Sequence, residues 1–308
     1  THLYPLGALT RALAGGQLAE LSKLAQAGCI AFSQADRAVT DTQVLMRAMQ
    51  YAATFGYAVW LQPEDIHLAR NGVAHEGEVA SRLGLAGIPS AAEVVALATH
   101  IELARVTGAR LHVCRVSAAE SVAMIRDAKA RGIAVTADVS INHLHLIDID
   151  IGHYDSNFRL SPPLRTARDR DALRAGVIDG TIDAVVSDHT PRPDDAKQLP
   201  FGEAAPGATG LEMLLSLVLR FAETAGVPLL EALGWITHRA AEAAKLSAGR
   251  IAVDHVADLC VFDPGAYRLI TRAGLRSAGK NSPFIGYELP GVVRATVAGG
   301  HIGYEATA

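Results

Sequence analysis

Short apolar runs alternate with longer segments of helical pattern along most of the chain. The runs are mostly rich in Val and Ile, and they lie at residues 3–6, 29–32, 57–61, 110–114, 133–137 and 182–186. Apolar runs of this length between helical segments are typical of buried strands in a parallel sheet. The pattern therefore predicts six strand–helix units and a parallel α/β architecture.

Helical patterns occupy most of the segments between these runs. The predicted helices cover residues 10–27, 41–53, 91–107 and 117–130. The last of them opens with Ser117 and has Glu120 three residues later, which predicts a capping box. Residues 207–246 are also helical in pattern, whereas 257–262 and 292–297 are β-like and predict a small β-rich appendage.

The number of predicted strands leaves two architectures open. Six strands suit an open doubly wound sheet, or a (β/α)8 barrel from which two strands are absent. No glycine-rich phosphate fingerprint follows the first strand, as it would in a dinucleotide-binding doubly wound fold. The alternation by itself does not choose between the two.

Composition excludes several classes of protein. Half of the 308 residues are hydrophobic and 19% are charged, which excludes a disordered chain. The net charge of -4 gives no overall basic field for nucleic acid. Three widely spaced cysteines, Cys29, Cys114 and Cys260, exclude a disulfide scaffold and favour a cytoplasmic location. No apolar run approaches the roughly 18 residues of a membrane span.

Polar side chains follow several of the predicted strands. His143 and His145 would point to the same face of a strand and could bind one metal ion, but ordinary polar residues of a loop are the favoured interpretation. Asp188 directly follows a strand, where it could be a general base or metal ligand, or the N-cap of a helix beside a surface residue, His189. His112, inside a strand, is better explained as a hydrogen-bonded inter-strand group.

A loop rich in glycine and proline covers residues 197–212. Such a loop lets backbone groups approach a small ligand, and the helix predicted to begin near Thr209 could receive an anion at its N-terminus. An ordinary connecting loop is the alternative.

Five segments together resemble class I dihydroorotases of the amidohydrolase superfamily. They run in chain order as 84–89, 161–165, 187–191, 201–212 and 281–286. The resemblance implies an α/β fold, a (β/α)8 TIM barrel of the metal-dependent hydrolase type with a small β-sandwich. It assigns residues 1–248 to the barrel and 249–308 to the sandwich. It also implies that about two N-terminal barrel strands are absent from the sequence given.

The resemblance can be followed residue by residue. Active members close dihydroorotate from carbamoyl aspartate at a zinc centre. Their zinc ligands correspond here to Gln34 or Ala35, to Gln62 and to Arg115, while the final aspartate is kept as Asp188. Asp36 lies close to the first of these positions but out of register. The family's substrate-binding asparagine corresponds to Ser161.

These replacements have a physical consequence. A Gln amide is a poor zinc ligand, and an Arg guanidinium keeps its positive charge. At about 4 Å, two like unit charges repel by about 4 kcal/mol at an effective dielectric constant of about 20, and a dication by about twice as much. We therefore expect no bound metal, and we expect Arg115 to form an ion pair with Asp188.

The favoured hypothesis is a non-catalytic dihydroorotase homologue of pyrimidine biosynthesis. The resemblance implies that such proteins assemble with the catalytic subunit of aspartate transcarbamoylase, and a homodimer is also compatible with the family. Asp188 would then be a vestigial general base. The vestigial substrate pocket would comprise Ser161, His189, Pro206 and Gly207.

Two alternatives stay open. The first is an active zinc-dependent cyclic amidohydrolase with Asp188 as general base and a rebuilt site, whose other members would come from His143, His189, Glu64 and Asp65. The second is a regulatory module in which Arg115 and the loop at Pro206 hold a carboxylated metabolite without turnover.

Overall fold

The computed structural model describes residues 2–306 and contains a parallel sheet with one strand at each of the six predicted runs, although the first strand overlaps its run, 3–6, only at Leu6. The strands are β1 (Leu6–Ala8), β2 (Ala31–Ser33), β3 (Ala58–Leu61), β6 (Arg110–Val113), β7 (Val135–Ser140) and β8 (Ala184–Val186). They are hydrogen-bonded in the order β1-β2-β3-β6-β7-β8, and each neighbouring pair is parallel. All the strands therefore end at the same edge of the sheet, and the polar residues that follow them meet there.

Helices connect and cover the strands. Their bounds are α1 (Leu21–Gln26), α2 (Thr42–Thr54), α3 (Glu78–Leu83), α4 (Ser90–Thr107), α5 (Ala119–Ala130), α6 (Ile141–His145), α7 (Ala167–Ile178), α8 (Asp194–Lys197), α9 (Leu214–Ala225), α10 (Leu229–Gly234) and α11 (His238–Ala243). Apolar side chains from these helices pack on the sheet and are almost fully buried, among them Met49, Leu97, Ile125 and Phe221. In residues 2–306, no helix combines the length and apolar character that a membrane crossing requires.

Two smaller sheets accompany the parallel one. A short parallel pair, β4 (Ala74–His75) and β5 (Gly87–Ile88), lies in the connection between β3 and β6. The C-terminal region forms an antiparallel sheet in the order β11-β10-β9 from β9 (Leu259–Leu269), β10 (Glu288–Ala298) and β11 (His301–Glu305). The β-rich appendage predicted from the sequence is thus present, while the boundary at residue 248 stays a prediction.

The segment between β9 and β10 returns to the strand-end side of the parallel sheet. The Asn281 side chain donates to the carbonyls of Thr190 and Gly207 at 3.2 and 2.9 Å, and it accepts the N–H of Arg192 at 2.9 Å. These bonds attach the C-terminal region to the segment that follows β8 of the parallel sheet.

The prediction of one helix over residues 10–27 was wrong. Only Leu21–Gln26 is α-helical, and a single 3-10 turn covers Arg11–Leu13. Gly15 adopts a φ of 77° between them, a left-handed conformation that interrupts a helix and that glycine adopts without strain.

The predicted capping box at Ser117 was also wrong. Helix α5 begins one residue later than the box requires, with Ala118 at the N-cap. The N–H groups of Ser117 and Ala118 donate to the buried Glu93 carboxylate of α4, each at 3.0 Å. A carboxylate from another helix therefore accepts the Ser117 N–H that Glu120 was predicted to accept, and Glu120 instead pairs with Arg168 at 2.6 Å.

Candidate functional site

Three residues at the strand ends adopt left-handed backbone conformations although none is glycine. Ala35, Arg115 and Asp188 have φ angles of 53°, 55° and 47°, and each lies just after one of the strands β2, β6 and β8. Such conformations cost about 1–3 kcal/mol each, and they are concentrated at functional sites in proteins. Nine non-glycine residues between 2 and 306 have a positive φ, and these three are brought together at one edge of the sheet, which we take as the candidate site.

Arg115 lies at the centre of this edge. Its guanidinium donates to the Asp188 carboxylate at 3.3 Å and to the backbone carbonyl of Ser161 at 3.4 Å. It also donates to the Asp36 carboxylate and to the Gln62 side-chain oxygen. One side chain thus joins the segments that follow β2, β3, β7 and β8. We call Arg115, Asp36, Gln62 and Asp188 the Arg115 cluster.

Burial and charge act in opposite directions on Asp188. Its side chain is only 9% exposed. This burial raises the pKa of the carboxyl to about 6, against the lowering effect of Arg115 and of the Ser140 hydroxyl. Asp188 therefore holds a proton more readily than an ordinary aspartate, even beside a guanidinium.

The structure brings Asp36, and not Gln34, to Arg115. Gln34 is buried, its oxygen accepts a bond from the Thr10 hydroxyl at 2.9 Å, and its Nε2 has no partner within residues 2–306. Sequence reasoning set Asp36 aside as out of register. The left-handed turn at Ala35 redirects the chain, so the next side chain reaches the cluster.

Glu64 and Asp65 have different surroundings. Burial raises the pKa of Glu64, while the charges of Arg165 and Arg115 lower it, so this carboxyl lies in the field of the cluster. Asp65 instead accepts the backbone N–H groups of His67 and Leu68 at 2.9 and 3.0 Å, which is a turn-forming role.

The strand interpretation of His143 and His145 was wrong. Both residues lie on the short helix α6, and they bond different segments. His143 Nε2 bonds the Pro163 carbonyl at 3.2 Å, and His145 Nε2 bonds the Leu217 carbonyl at 2.9 Å. Burial lowers both pKa values to about 4. The two rings therefore form separate hydrogen bonds and no common metal pair.

His189 serves the backbone of the loop before α9. Its Nδ1 accepts the N–H groups of Gly210 and Leu211 at 3.2 and 3.4 Å, and burial lowers its pKa. The helix predicted to begin near Thr209 starts later, with a 3-10 turn at Leu211–Met213 and then α9. His189 thus occupies donors that an anion was expected to meet.

The predicted ligand loop is bonded to the protein itself. The Pro206 carbonyl accepts from Arg192 at 2.9 Å, and the Gly207 N–H donates to the Arg159 carbonyl at 2.9 Å. Gly207 has a φ of 125°, and a Cβ there would lie 2.6 Å from the Thr190 methyl group. Close packing against Thr190 therefore requires glycine at position 207.

Comparison with known proteins identifies the family. The family described as dihydro-orotase-like matches residues 2–121. A dihydroorotase-like protein of Pseudomonas aeruginosa is 42% identical over 303 residues, which is 98% of this chain and 71% of the relative. The chain belongs to the dihydroorotase-like family. A dihydroorotase of Anaeromyxobacter sp. strain K is 41% identical over 306 residues, with 99% and 71% of the two chains covered.

The solved structures confirm the predicted fold class. The L-hydantoinase (dihydropyrimidinase) from Arthrobacter aurescens superimposes with a TM-score of 0.86 at 22% identity, covering 99% of this chain and 70% of the hydantoinase. A D-hydantoinase gives a TM-score of 0.79 at 24% identity, with 92% and 65% covered. The dihydroorotase-like chain thus shares the α/β fold of these hydantoinases over the part of their length that it covers.

The residues around Arg115 do not fit a zinc ion. Protein ligands of zinc are thiolate, imidazole and carboxylate. The Arg115 cluster offers two carboxylates and one neutral amide, but a guanidinium that cannot lose its proton already bonds all three. A dication here would have to displace Arg115 from both of its ion pairs.

The expectation that the chain holds no metal is nevertheless not supported. His112, Cys114 and Asp138 place one ligand atom each within 4.8 Å of one another. His112 bonds the Thr136 hydroxyl at 2.8 Å and the Asp138 carboxylate at 2.9 Å, as expected for an inter-strand group. A metal ion at this second position would replace the bond between His112 and Asp138.

Proposed function

We propose that this protein is a non-catalytic dihydroorotase homologue of pyrimidine biosynthesis and a structural partner of the aspartate transcarbamoylase catalytic subunit. The observation that carries the proposal is the Arg115 guanidinium at the centre of the strand ends, bonded to Asp36, Gln62 and Asp188. By the family resemblance, Gln62 and Arg115 stand at positions where active members have zinc ligands. A partner role in that pathway also implies a cytoplasmic location.

The arrangement supports inactivity in two ways. The guanidinium takes the two carboxylates that a metal ion would need, and removing it would leave Asp188 buried without a partner. A zinc ion that entered beside Arg115 would meet like-charge repulsion of several kcal/mol. Hydrolysis of a cyclic amide in this family depends on zinc, so a centre without zinc lacks its Lewis acid.

Charge also argues against a carboxylated metabolite at Arg115. The cluster holds one guanidinium and two carboxylates, and Glu64 adds a third acidic group within its field. Excess negative charge opposes anions such as dihydroorotate and carbamoyl aspartate. The proposal therefore favours a structural role over a binding role for this centre.

The similarity to curated relatives supports the family but leaves the role to experiment. Two Pseudomonas relatives, 42% and 43% identical to this chain, carry the description dihydroorotase-like protein, whereas the Anaeromyxobacter relative is described as a dihydroorotase. A homodimer stays a prediction from the resemblance.

The first test measures turnover. The full-length protein is assayed in both directions, with dihydroorotate and with carbamoyl aspartate, in the presence of added zinc. We expect no turnover in either direction. Zinc-dependent turnover that Asp188→Asn abolishes would overturn the proposal in favour of the active amidohydrolase.

Metal analysis of two variants locates any zinc that is found. Zinc retained in Asp188→Asn but lost in Cys114→Ser would lie at the second position, and it would leave the proposal intact. Zinc lost in Asp188→Asn and retained in Cys114→Ser would lie at the Arg115 cluster and contradict it.

The second test concerns the partner. The full-length protein is mixed with aspartate transcarbamoylase catalytic chains at about 10 µM each, and the molar mass is measured during gel filtration. We expect a complex of both chains. Separate elution of the two proteins would overturn the partner role. Saturable binding of dihydroorotate without turnover would instead favour the regulatory module.

A further inference from the structure

A cavity of about 260 Å³ lies between α6, α7, α9 and the segment before β10. Its lining includes His145, Asp150, Arg174, Arg220, Phe284 and Tyr287. None of these side chains bonds to the Arg115 cluster, so the cavity is separate from the candidate site. Two guanidiniums in one cavity suggest a site for an anion.

Aromatic rings hold both guanidiniums in place. Arg220 lies with its Cζ 5.5 Å from the centre of the Tyr287 ring, and the Cζ of Arg174 lies 5.5 Å from the Phe221 ring. A ring face attracts a cation without accepting the N–H bonds in the guanidinium plane. The stacking therefore positions the two charges and leaves N–H donors available.

Neither charge is neutralised by an ion pair in the part of the chain that the structure describes. Arg174 donates its Nε to the Leu144 carbonyl at 2.7 Å, which positions the side chain without cancelling its charge. The nearby Arg170 is different, since it pairs with Asp171 at 2.9 Å. Arg174 and Arg220 thus present two positive charges to the cavity.

The cavity also contains one carboxylate, Asp150, and one imidazole, His145. One Asp150 oxygen accepts the Ile147 N–H at 2.8 Å, but the carboxylate keeps its negative charge, so the two guanidiniums outweigh it and leave the cavity with a net positive charge. His145 donates its Nε2 proton to Leu217, which leaves Nδ1 as its second ring nitrogen. Burial lowers the pKa of His145, and the charges of Arg174 and Arg220 lower it further. The positive charges of Arg174 and Arg220 therefore disfavour protonation of the His145 ring.

We propose that this cavity binds the phosphate group of a small phosphorylated metabolite. A doubly charged oxyanion matches two guanidiniums, whose planar N–H pairs suit phosphate oxygens. The cavity is slightly smaller than the roughly 300–1,000 Å³ of typical ligand pockets, which favours a compact molecule. The Tyr287 and Phe284 rings supply an apolar wall for its carbon portion.

The test uses inorganic phosphate and glycerol 3-phosphate as probes. Binding to the full-length protein is measured by calorimetry at low salt, where phosphate interactions are least screened. Arg220→Met and Arg174→Met keep most of the side-chain stem and remove the charge. Arg276→Met is the matched control, because Arg276 also stacks on an aromatic ring, 4.9 Å from the centre of Tyr304, but lies outside this cavity.

We expect wild type and Arg276→Met to bind alike, and each cavity variant to lose at least about tenfold in affinity. Tighter binding of glycerol 3-phosphate than of phosphate would identify an organic ligand, whereas equal binding would identify a site for the free anion. No binding by wild type up to about 10 mM, or equal binding by all variants, would overturn the proposal. Arg220→Met alone suffices if Arg174→Met fails to fold, since the Arg220 guanidinium makes no hydrogen bond in residues 2–306. Neither result depends on turnover or on the transcarbamoylase partner.

Discussion

The guanidinium of Arg115 lies 3.3 Å from the carboxylate of Asp188, and 73 residues of chain separate them. The pair connects the end of β6 to the end of β8, and neither side chain is more than 18% exposed. The ion pair expected from the sequence is confirmed. It occupies the position where the family resemblance places metal ligands.

Removing the charge of Arg115 tests how much this pair stabilises the fold. Arg115→Met leaves Asp188 buried without its partner and removes the bonds to Asp36 and Gln62. We expect the free energy of unfolding at neutral pH to fall by about 1–3 kcal/mol, less than for a fully buried pair because the site is partly solvated. Urea denaturation measures the change.

Arg126→Met is the matched control for that variant. Arg126 forms an ion pair with Asp179 at 2.7 Å, which is shorter than the 3.3 Å pair of Arg115 and Asp188, but both side chains are more than 40% exposed. Its loss should cost at most about 1 kcal/mol. Equal losses in the two variants would show that the Arg115 cluster contributes no more than a surface pair.

Stability should depend on pH through Asp188. Its pKa is about 6 in the folded protein against 3.8 for an ordinary aspartate, so the folded state binds this proton more tightly. Between about pH 4 and pH 6 the folded chain therefore carries the extra proton, and the free energy of unfolding falls as pH rises.

Comparison with Asp188→Asn isolates that contribution, because the variant cannot titrate there. The stability of wild type relative to the variant should decrease from pH 4 to pH 6 and then level off. Urea denaturation at several pH values measures it. A difference that increases with pH over this range would show that Arg115 outweighs burial.

Close packing at Gly207 predicts a large effect of one methyl group. Gly207→Ala would place a Cβ 2.6 Å from the Thr190 methyl group, on a backbone with a φ of 125°. We expect a loss of about 1–3 kcal/mol in thermal or urea denaturation. Gly202→Ala in the same loop has open space around its Cβ and should change stability little. Similar losses in both would refute the steric argument.

The buried pair of Glu93 and Arg165 should be more important for stability than any surface pair. Each side chain is 3% exposed, and Glu93 also accepts the N–H groups at the start of α5. Glu93→Gln removes the one carboxylate that forms an ion pair with buried Arg165 in residues 2–306, so we expect a loss of about 3–5 kcal/mol.

Glu102→Gln on the same helix is the control. Glu102 pairs with Arg105, but both are exposed, and solvent screens the pair. Urea denaturation should find a marked loss in the first variant and none beyond error in the second. Comparable losses would mean that burial does not determine the contribution of these pairs.

Local sequence pattern was informative for the elements and weaker for the site. Five of the six strands of the parallel sheet overlap their predicted runs by at least two residues, because each is a short apolar run between helical segments, whereas β1 overlaps its run only at Leu6. His143 and His145 were misassigned because five residues are too few to distinguish helical from strand spacing. The helix before β2 was overextended because its apolar spacing continues past two glycines that interrupt the helix.

Two residues of the site, Asp36 and Ser140, were not predicted from the sequence. Asp36 was set aside because it does not align with the position of the family's aspartate in the sequence. The left-handed turn at Ala35 changes the direction of the chain, so the Asp36 side chain nevertheless reaches Arg115. Ser140 was not singled out, yet its hydroxyl lowers the pKa of the Asp188 carboxyl. A polar residue at the end of an apolar strand was the available signal.

The sequence by itself determined the alternation of strands and helices around the parallel sheet, the family resemblance and the positive charge at Arg115, because these depend on residue identity and local spacing. Only the tertiary structure decided the partners of that charge, which lie 46 to 79 residues away along the chain. The physical reason is that parallel strands end at one edge, so loops distant in sequence become neighbours there. Which side chains then meet depends on backbone turns and burial that no local pattern records.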